Sequence, residues 1–87
     1  MNAQQFLRAS ESGHLESILD DGLIVVMIDL NPVLHVPALP TPQISVTPGN
    51  AVVITSDEIE IARIDAETQV DAELIADSLV DCFENPA

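Results

Sequence analysis

The stretch that decides the fold is residues 43–63, which read QISVTPGNAVVITSDEIEIAR. Apolar and polar residues alternate around Ile44 and Val46 and again after Glu58, as on strands with one buried face. Turn-forming residues separate the strands at 47–50 and at 55–58. The stretch therefore predicts a three-stranded antiparallel meander over about 43–65.

Two further segments precede the meander. Residues 23–30, LIVVMIDL, are rich in β-branched side chains and lack polar alternation, which predicts a central strand covered on both faces. Residues 31–42 hold four of the six prolines, at 32, 37, 40 and 42. Because proline fixes φ and removes an amide donor, this segment is predicted to be an extended loop or edge segment, with a broken strand around 33–36 as the alternative.

A helix is expected near each end of the chain. In the first, over about 3–21, apolar residues recur at roughly helical spacing, Asn2 is the candidate N-cap, and Gly22 the candidate C-terminal stop. The second, over about 69–84, opens with a Thr68-x-x-Asp71 capping box and is stopped by Pro86. The apolar face predicted for it is Val70, Leu74, Ile75, Leu79, Cys82 and Phe83.

These elements predict one small α+β domain over residues 1–87. Its centre is a three- to four-stranded, mostly antiparallel sheet, because the strands are grouped together rather than alternating with helices. An N-terminal and a C-terminal helix complete the fold.

The charge of the chain excludes several classes of partner. Fifteen acids oppose only Arg8 and Arg63, and the net charge is −13. A protein with so few cations cannot neutralise phosphates, so we expect neither direct nucleic-acid binding nor docking on an anionic membrane. The longest apolar run, residues 23–28, is far shorter than the ~20 residues of a membrane span, and no signal peptide is apparent, so a cytoplasmic protein is expected.

No residue pattern indicates catalysis, a cofactor or a metal. His14, His35 and Cys82 lie on three different elements and match no zinc spacing, so we expect them to be structural. Asp29 follows an apolar strand, and its interpretation as the exit of that strand to solvent is preferred over a buried acid. Neither a Gly-x-Ser-x-Gly elbow nor a glycine-rich phosphate loop occurs. The chain is therefore expected not to be an enzyme.

The acids are concentrated in the C-terminal part of the sequence. Between residues 57 and 84 there are ten acids and one arginine. Four acids of the last helix are spaced by 4, 4 and 3 residues, which places them along one stripe with steps of roughly 5–6 Å. The predicted partner-binding residues are Asp57, Glu58, Glu60, Glu73, Asp77, Asp81 and Glu84.

Two interpretations of this charge remain open. The acids can serve only solubility, or adaptation to a salt-rich host, as in an acidic structural domain. Alternatively, they present a row of carboxylates in place of the phosphates of nucleic acid, which carry one charge per ~3.4 Å of each strand. In that case the partner is a basic surface on a nucleic-acid-binding protein or complex.

In size and charge the chain is similar to small acidic proteins of phages and plasmids. Several families of these proteins act as nucleic-acid mimics or as inhibitors of host defence. The resemblance implies a non-enzymatic inhibitor from a phage or other mobile element, aimed at a host defence complex, as anti-CRISPR proteins are, or at a DNA-binding protein.

A second resemblance concerns short motifs and their order. They are Phe6-Leu7-Arg8-Ala9, the strand Leu23–Asp29, His35-Val36-Pro37, Gln43-Ile44, Asp57-Glu58-Ile59 and Gln69-Val70. In this order the chain loosely resembles the SspB type of adaptor for the ClpX protease. In that family a groove on the sheet binds degradation-tag peptides, so the resemblance implies a peptide-binding adaptor or scaffold that uses its sheet.

A homodimer joined through the sheet or the N-terminal helix is also expected. Two helices can cover only one face of the sheet, which leaves on the other face whichever half of the side chains of Val25, Met27, Val53 and residues 34–39 points away. A second copy of the chain would cover them.

Overall fold

The computed structural model describes residues 2–86 and contains one helix, six strands and a second helix, in that order. They are α1 Ala3–Ser12, β1 Leu15–Asp20, β2 Leu23–Ile28, β3 Asn31–Pro37, β4 Gln43–Val46, β5 Ala51–Ser56, β6 Ile59–Asp65 and α2 Gln69–Glu84. The strands form two three-stranded antiparallel sheets, a first sheet β1-β2-β3 and a second sheet β4-β5-β6. The α+β class and both terminal helices are confirmed, with two small sheets instead of one sheet of three to four strands.

The prediction of a helix over 3–21 was wrong in its second half. Asn2 caps α1 as expected, but the helix ends at Gly13, which has φ 75° and donates its backbone N–H to the Ala9 carbonyl. Residues 15–20 form β1, paired along their whole length with β2. The reason is the turn Asp21-Gly22, in which both residues have positive φ, the pattern of a two-residue type I′ hairpin.

The prediction of a loop over 31–42 was also wrong in part. Residues 31–37 form β3, so the structure matches the alternative of a broken strand. β3 is an edge strand with a bulge opposite Val26 and Met27, and Pro32 and Pro37 lie near its ends. Prolines are tolerated there because an edge strand leaves one side of its backbone without a hydrogen-bonding partner.

β2 is the central strand of the first sheet, as predicted, but the core covers only one of its faces, not both. Ile24, Val26 and Ile28 face the common core, and side chains alternate along a strand. Leu23, Val25 and Met27 therefore point to the opposite face of the sheet, where Val25 lies between Ile18 and His35 of the neighbouring strands.

The meander is present as β4, β5 and β6. Thr47–Asn50 connects the first two strands, with the Asn50 N–H donating to the Thr47 carbonyl at 3.0 Å. Asp57 and Glu58 connect the last two and have φ 53° and 67°. The turn predicted over 47–50 therefore forms, whereas the turn predicted over 55–58 is limited to Asp57 and Glu58, because Thr55 and Ser56 still belong to β5.

One hydrophobic core joins both sheets to both helices. Its largest fully buried side chains are Phe6 of α1, Ile54 and Ile64 of the second sheet, and Ile75 and Leu79 of α2. The hydroxyl groups of Ser10 and Ser78 lie 2.6 Å apart where α1 contacts α2. The two helices therefore also contact each other directly.

The face of the first sheet that points away from this core is largely apolar. Leu23, Val25 and Met27 run along its middle, with Ile18 beside them and Glu16, Asp20 and His35 near the rim. Leu34 and Val36, by contrast, are buried in the core, and Val25 and Val53 are also buried, at 5% and 8% exposure. The exposed patch predicted from Val25, Met27, Val53 and residues 34–39 is therefore smaller than expected. The homodimer expected through this face remains a prediction.

Between residues 2 and 86, neither helix has the length and apolar character needed to cross a bilayer.

Candidate functional site

The acids of α2 lie on the side of the helix that faces solvent. Thr68 caps the helix by accepting a hydrogen bond from the Asp71 N–H at 3.1 Å, so the predicted cap forms. Ile75, Leu79 and Phe83 anchor the opposite side in the core. Because the helix has 3.6 residues per turn, residues on the other side of α2 point to solvent. Four acids lie there, and all are exposed. We call them the carboxylate row: Glu73, Asp77, Asp81 and Glu84.

The apolar face of α2 differs from the prediction at two positions. Val70 and Leu74 are 66% and 51% exposed, whereas Ala72 and Ala76 are buried. The prediction from hydrophobic spacing assigned the large apolar side chains to the buried face. Two of the buried positions are instead alanines, whose small side chains allow the helix to lie close to its neighbours. The outer side of α2 therefore carries Val70 and Leu74 beside the carboxylate row.

A second group of predicted acids lies at the tip of the hairpin between β5 and β6. Asp57 and Glu58 are the two central residues of the turn, and both are exposed. Glu60 follows on β6, where one of its carboxylate oxygens is 3.7 Å from the Arg63 guanidinium. Arg63 also lies 3.3 Å from Asp65. This arginine therefore partly neutralises the charge of Glu60 but not the charges of Asp57 and Glu58.

Three of the predicted acids, one from α2 and two from the hairpin turn, lie near the start of β4. Glu84 lines a hollow of about 320 Å³ together with Thr41, Pro42, Ile44, Val80 and Phe83. Asp57 and Glu58 line a second hollow of about 300 Å³ together with Pro40, Thr41, Gln43 and Thr55. Thr41 borders both, so these three acids flank the start of β4.

The other predicted residues do not converge on that segment. Asp81 lines a separate hollow next to α1, with Ser10 and Ser78. Glu73 and Asp77 lie on the outer side of α2. The predicted residues thus form a broad acidic surface rather than a single pocket.

Few of these charges are neutralised within the molecule. The ion pairs found in the part of the chain that the structure describes are His14–Asp29, Arg63–Glu60 and Arg63–Asp65. None of them involves the carboxylate row. Two of its members instead accept hydrogen bonds from amide side chains, Glu73 from Gln69 and Asp81 from Asn85.

One polar contact was missed by sequence reasoning. His14 Nδ1 lies 2.8 Å from Asp29 Oδ1, at the edge of a hollow that also involves Gly13, Glu16 and Leu30. The residues are distant in sequence, and they meet because Gly13 ends α1 just before β1, which pairs with β2. Asp29 is 64% exposed in the turn after β2, in agreement with its interpretation as the exit of that strand.

The three candidate metal ligands lie apart. His14 follows α1, His35 is exposed on β3, and Cys82 is a buried free thiol on α2. Across residues 2–86, no three His, Cys, Asp or Glu side chains are grouped as a metal ion would require.

The environment of Cys82 is that of a core residue. Burial raises the pKa of the Cys82 thiol, the Asp81 carboxylate adds to the rise, and a hydrogen bond with Ser17 partly offsets both. The thiolate, which is the reactive form, is disfavoured at neutral pH. This favours a packing role over a nucleophilic one.

Comparison with known proteins gives no matching family model, and no curated protein or solved structure is significantly similar to the chain.

Proposed function

We propose that this chain is a small, non-enzymatic interaction protein that inhibits a basic, nucleic-acid-binding protein or complex. Its carboxylates occupy sites that otherwise hold phosphates. The proposed setting is the cytoplasm of a host cell, the proposed source is a phage or other mobile element, and the target is a defence complex or a DNA-binding protein.

The observation that carries this proposal is the exposed carboxylate row of α2. Like charges at these spacings repel by a few tenths of a kcal/mol per pair, and no lysine is interspersed to relieve them. Surfaces of small domains usually mix both signs. A partner that supplies arginine or lysine side chains would remove this repulsion on binding.

The chemistry of the row fits such a partner. Carboxylates some 5–6 Å apart can each accept from one guanidinium or ammonium group, as successive phosphates do. Val70 and Leu74 add exposed apolar area beside the charges. The long-range field of the acids speeds association and makes it depend strongly on salt.

The test compares two double variants that change the net charge equally. Asp77→Lys with Asp81→Lys reverses the centre of the row, whereas Glu11→Lys with Asp20→Lys reverses two exposed acids elsewhere. The binding protein is first isolated from the source cells by affinity capture, and displacement of labelled duplex DNA from it is then measured. We expect the row variant to associate about tenfold more slowly, with a weaker salt dependence, and the control to change much less.

The control separates the row from the total charge. Equal effects of both variants would indicate that the acids act only through net charge. Unchanged association and salt dependence in the row variant would show that the carboxylates do not make the contact, and the proposal would be wrong.

One observation favours a second candidate, a peptide-binding adaptor that uses its sheet. β4 is an edge strand of the second sheet, and an edge can accept an added strand from a peptide. Binding through main-chain pairing and apolar contacts would change little between low and moderate salt. A salt titration of the complex therefore discriminates between the two functions.

A further inference from the structure

β4 is one of the two edge strands of the second sheet. β4 pairs with β5 on one side only, and residues 43–46 contain no proline and no bulge. The opposite edge of the same sheet, β6, has a bulge and is bridged by Asn2 at Asp65. Bulges, prolines and covering segments are the devices that keep an edge from pairing with another chain.

The register of β4 indicates which backbone groups are free. The Thr47 N–H donates to the Ala51 carbonyl at 2.8 Å. Hydrogen-bonded and non-hydrogen-bonded pairs alternate along an antiparallel ladder, so Val46 and Ile44 direct their backbone N–H and C=O groups away from β5. An added strand would pair with these two residues.

The two hollows lie on opposite faces of the sheet at this edge. We call the first the α2 hollow, which contains Ile44 on the core side with Val80, Phe83 and Glu84. The second is the turn hollow, which contains Gln43 and its cross-strand partner Thr55 on the outer side, with Asp57 and Glu58. Successive side chains of a strand added to β4 would point alternately into one and the other.

The lining of each hollow selects a type of side chain. The α2 hollow has apolar walls and a carboxylate, which suits the aliphatic stem and charged head of arginine or lysine. The turn hollow has polar walls and two carboxylates, which suits a second cation. Two neighbouring basic residues of an extended chain therefore match the two hollows.

We propose that the contacting part of the partner is an extended basic segment that adds to β4 as a fourth strand, with adjacent arginine or lysine side chains in the α2 hollow and the turn hollow. This proposal rests on the proposed function, since it specifies how a basic partner is bound. It adds Asp57 and Glu58 to the contact, next to Glu84 at the end of the carboxylate row.

The experiment uses fluorescein-labelled six-residue peptides with the unmodified protein. One peptide has a central Arg-Arg pair flanked by valine and threonine, the second has alternate backbone nitrogens methylated, and the third has citrulline in place of both arginines. We expect N-methylation and citrulline each to weaken binding by about tenfold or more, because one removes main-chain pairing and the other removes charge. Amide chemical shifts of Ile44 and Val46 are expected to move on binding of the first peptide.

Matched variants locate the site. Glu58→Lys with Glu84→Lys is expected to weaken binding of the first peptide by about tenfold, and Glu11→Lys with Asp20→Lys by about twofold or less. If the N-methylated peptide binds as tightly as the first, or if the two double variants behave alike, strand addition at β4 is wrong. Equal binding of the arginine and citrulline peptides would contradict the use of charge at β4, whereas the proposed function would fail separately, through unchanged association of the Asp77→Lys, Asp81→Lys variant.

Discussion

At the scale of single residues, Cys82 gives the chain an unusually simple alkaline titration. The sequence has no tyrosine and no lysine. Cys82 is therefore the side chain whose ordinary pKa lies in the mildly alkaline range. Because Cys82 is buried in the folded state, its titration affects the free energy of unfolding.

We predict that the free energy of unfolding falls as the pH rises above about 8.5, the ordinary pKa of a thiol. Burial raises the pKa of Cys82 in the folded state, so the unfolded chain loses this proton first and is favoured at high pH. The slope cannot exceed that of one proton, about 1.4 kcal/mol per pH unit. Urea unfolding at a series of pH values measures it.

The variant Cys82→Ala provides the control for this titration. Its stability should not depend on pH over the same interval, whatever its stability at pH 7. A wild-type profile as flat as that of the variant would contradict a raised pKa for the folded thiol.

At the scale of elements, the end of α2 is held to the first sheet by one buried hydrogen bond. The Ser17 hydroxyl of β1 donates to the Cys82 carbonyl at 2.8 Å, and Ser17 is 6% exposed. In a longer helix this carbonyl would accept from the residue four positions on, but that residue is Pro86, which has no N–H. The serine of another element supplies the missing donor.

We predict that Ser17→Ala lowers the free energy of unfolding by about 1–3 kcal/mol, because a buried carbonyl loses its donor. Ser45→Ala, at an exposed position of β4, is the matched control and should change stability by about 0.5 kcal/mol or less. Urea midpoints of the two variants are compared with that of the wild type. A Ser17→Ala midpoint equal to that of the control would show that the hydrogen bond does not stabilise the fold.

At the scale of the whole molecule, the net charge and the uncovered face of the first sheet have opposite effects on self-association. Each copy carries −13, which opposes the approach of a second copy. The half-buried apolar side chains of Leu23 and Met27 favour that approach. Salt screens the repulsion between the charged copies, since the Debye length falls from ~10 Å at 0.1 M to ~3 Å at 1 M. It does not weaken the apolar attraction.

We therefore predict that self-association strengthens with salt, the reverse of binding to a basic partner. Sedimentation at about 0.05 M and about 1 M NaCl should show a dimer fraction that rises with salt. Met27→Gln on the uncovered face should reduce this fraction, whereas Leu30→Gln, in the exposed turn after β2, should not. A monomer under every condition would contradict a homodimer through this face.

Part of the candidate site could be predicted because charge pattern and helix period are local properties. The cap at Thr68, the bounds of α2 and the outward position of the carboxylate row follow from residues that are close in sequence. The exposure of Val70 and Leu74 could not be predicted, because it depends on which side of α2 meets α1 and the sheets. The position of Glu84 close to Asp57 and Glu58 near Thr41 could not be predicted either, because these residues are far apart in the sequence.

What the sequence by itself determined is the α+β class, the meander with its turns, the central strand β2 and the helix at each end. These depend on alternation, turn residues and caps, which act within a few residues. Residues 15–20 form a strand because of the local turn Asp21-Gly22, a hairpin signal that the prediction passed over in favour of the helical spacing of the apolar residues. Only the tertiary structure decided that residues 31–37 form β3, because a proline-containing segment becomes an edge strand only where a neighbour supplies the hydrogen bonds. The division into two sheets, and with it the free edge of β4, arises because β3 pairs with β2 alone and β4 with β5 alone among the described strands.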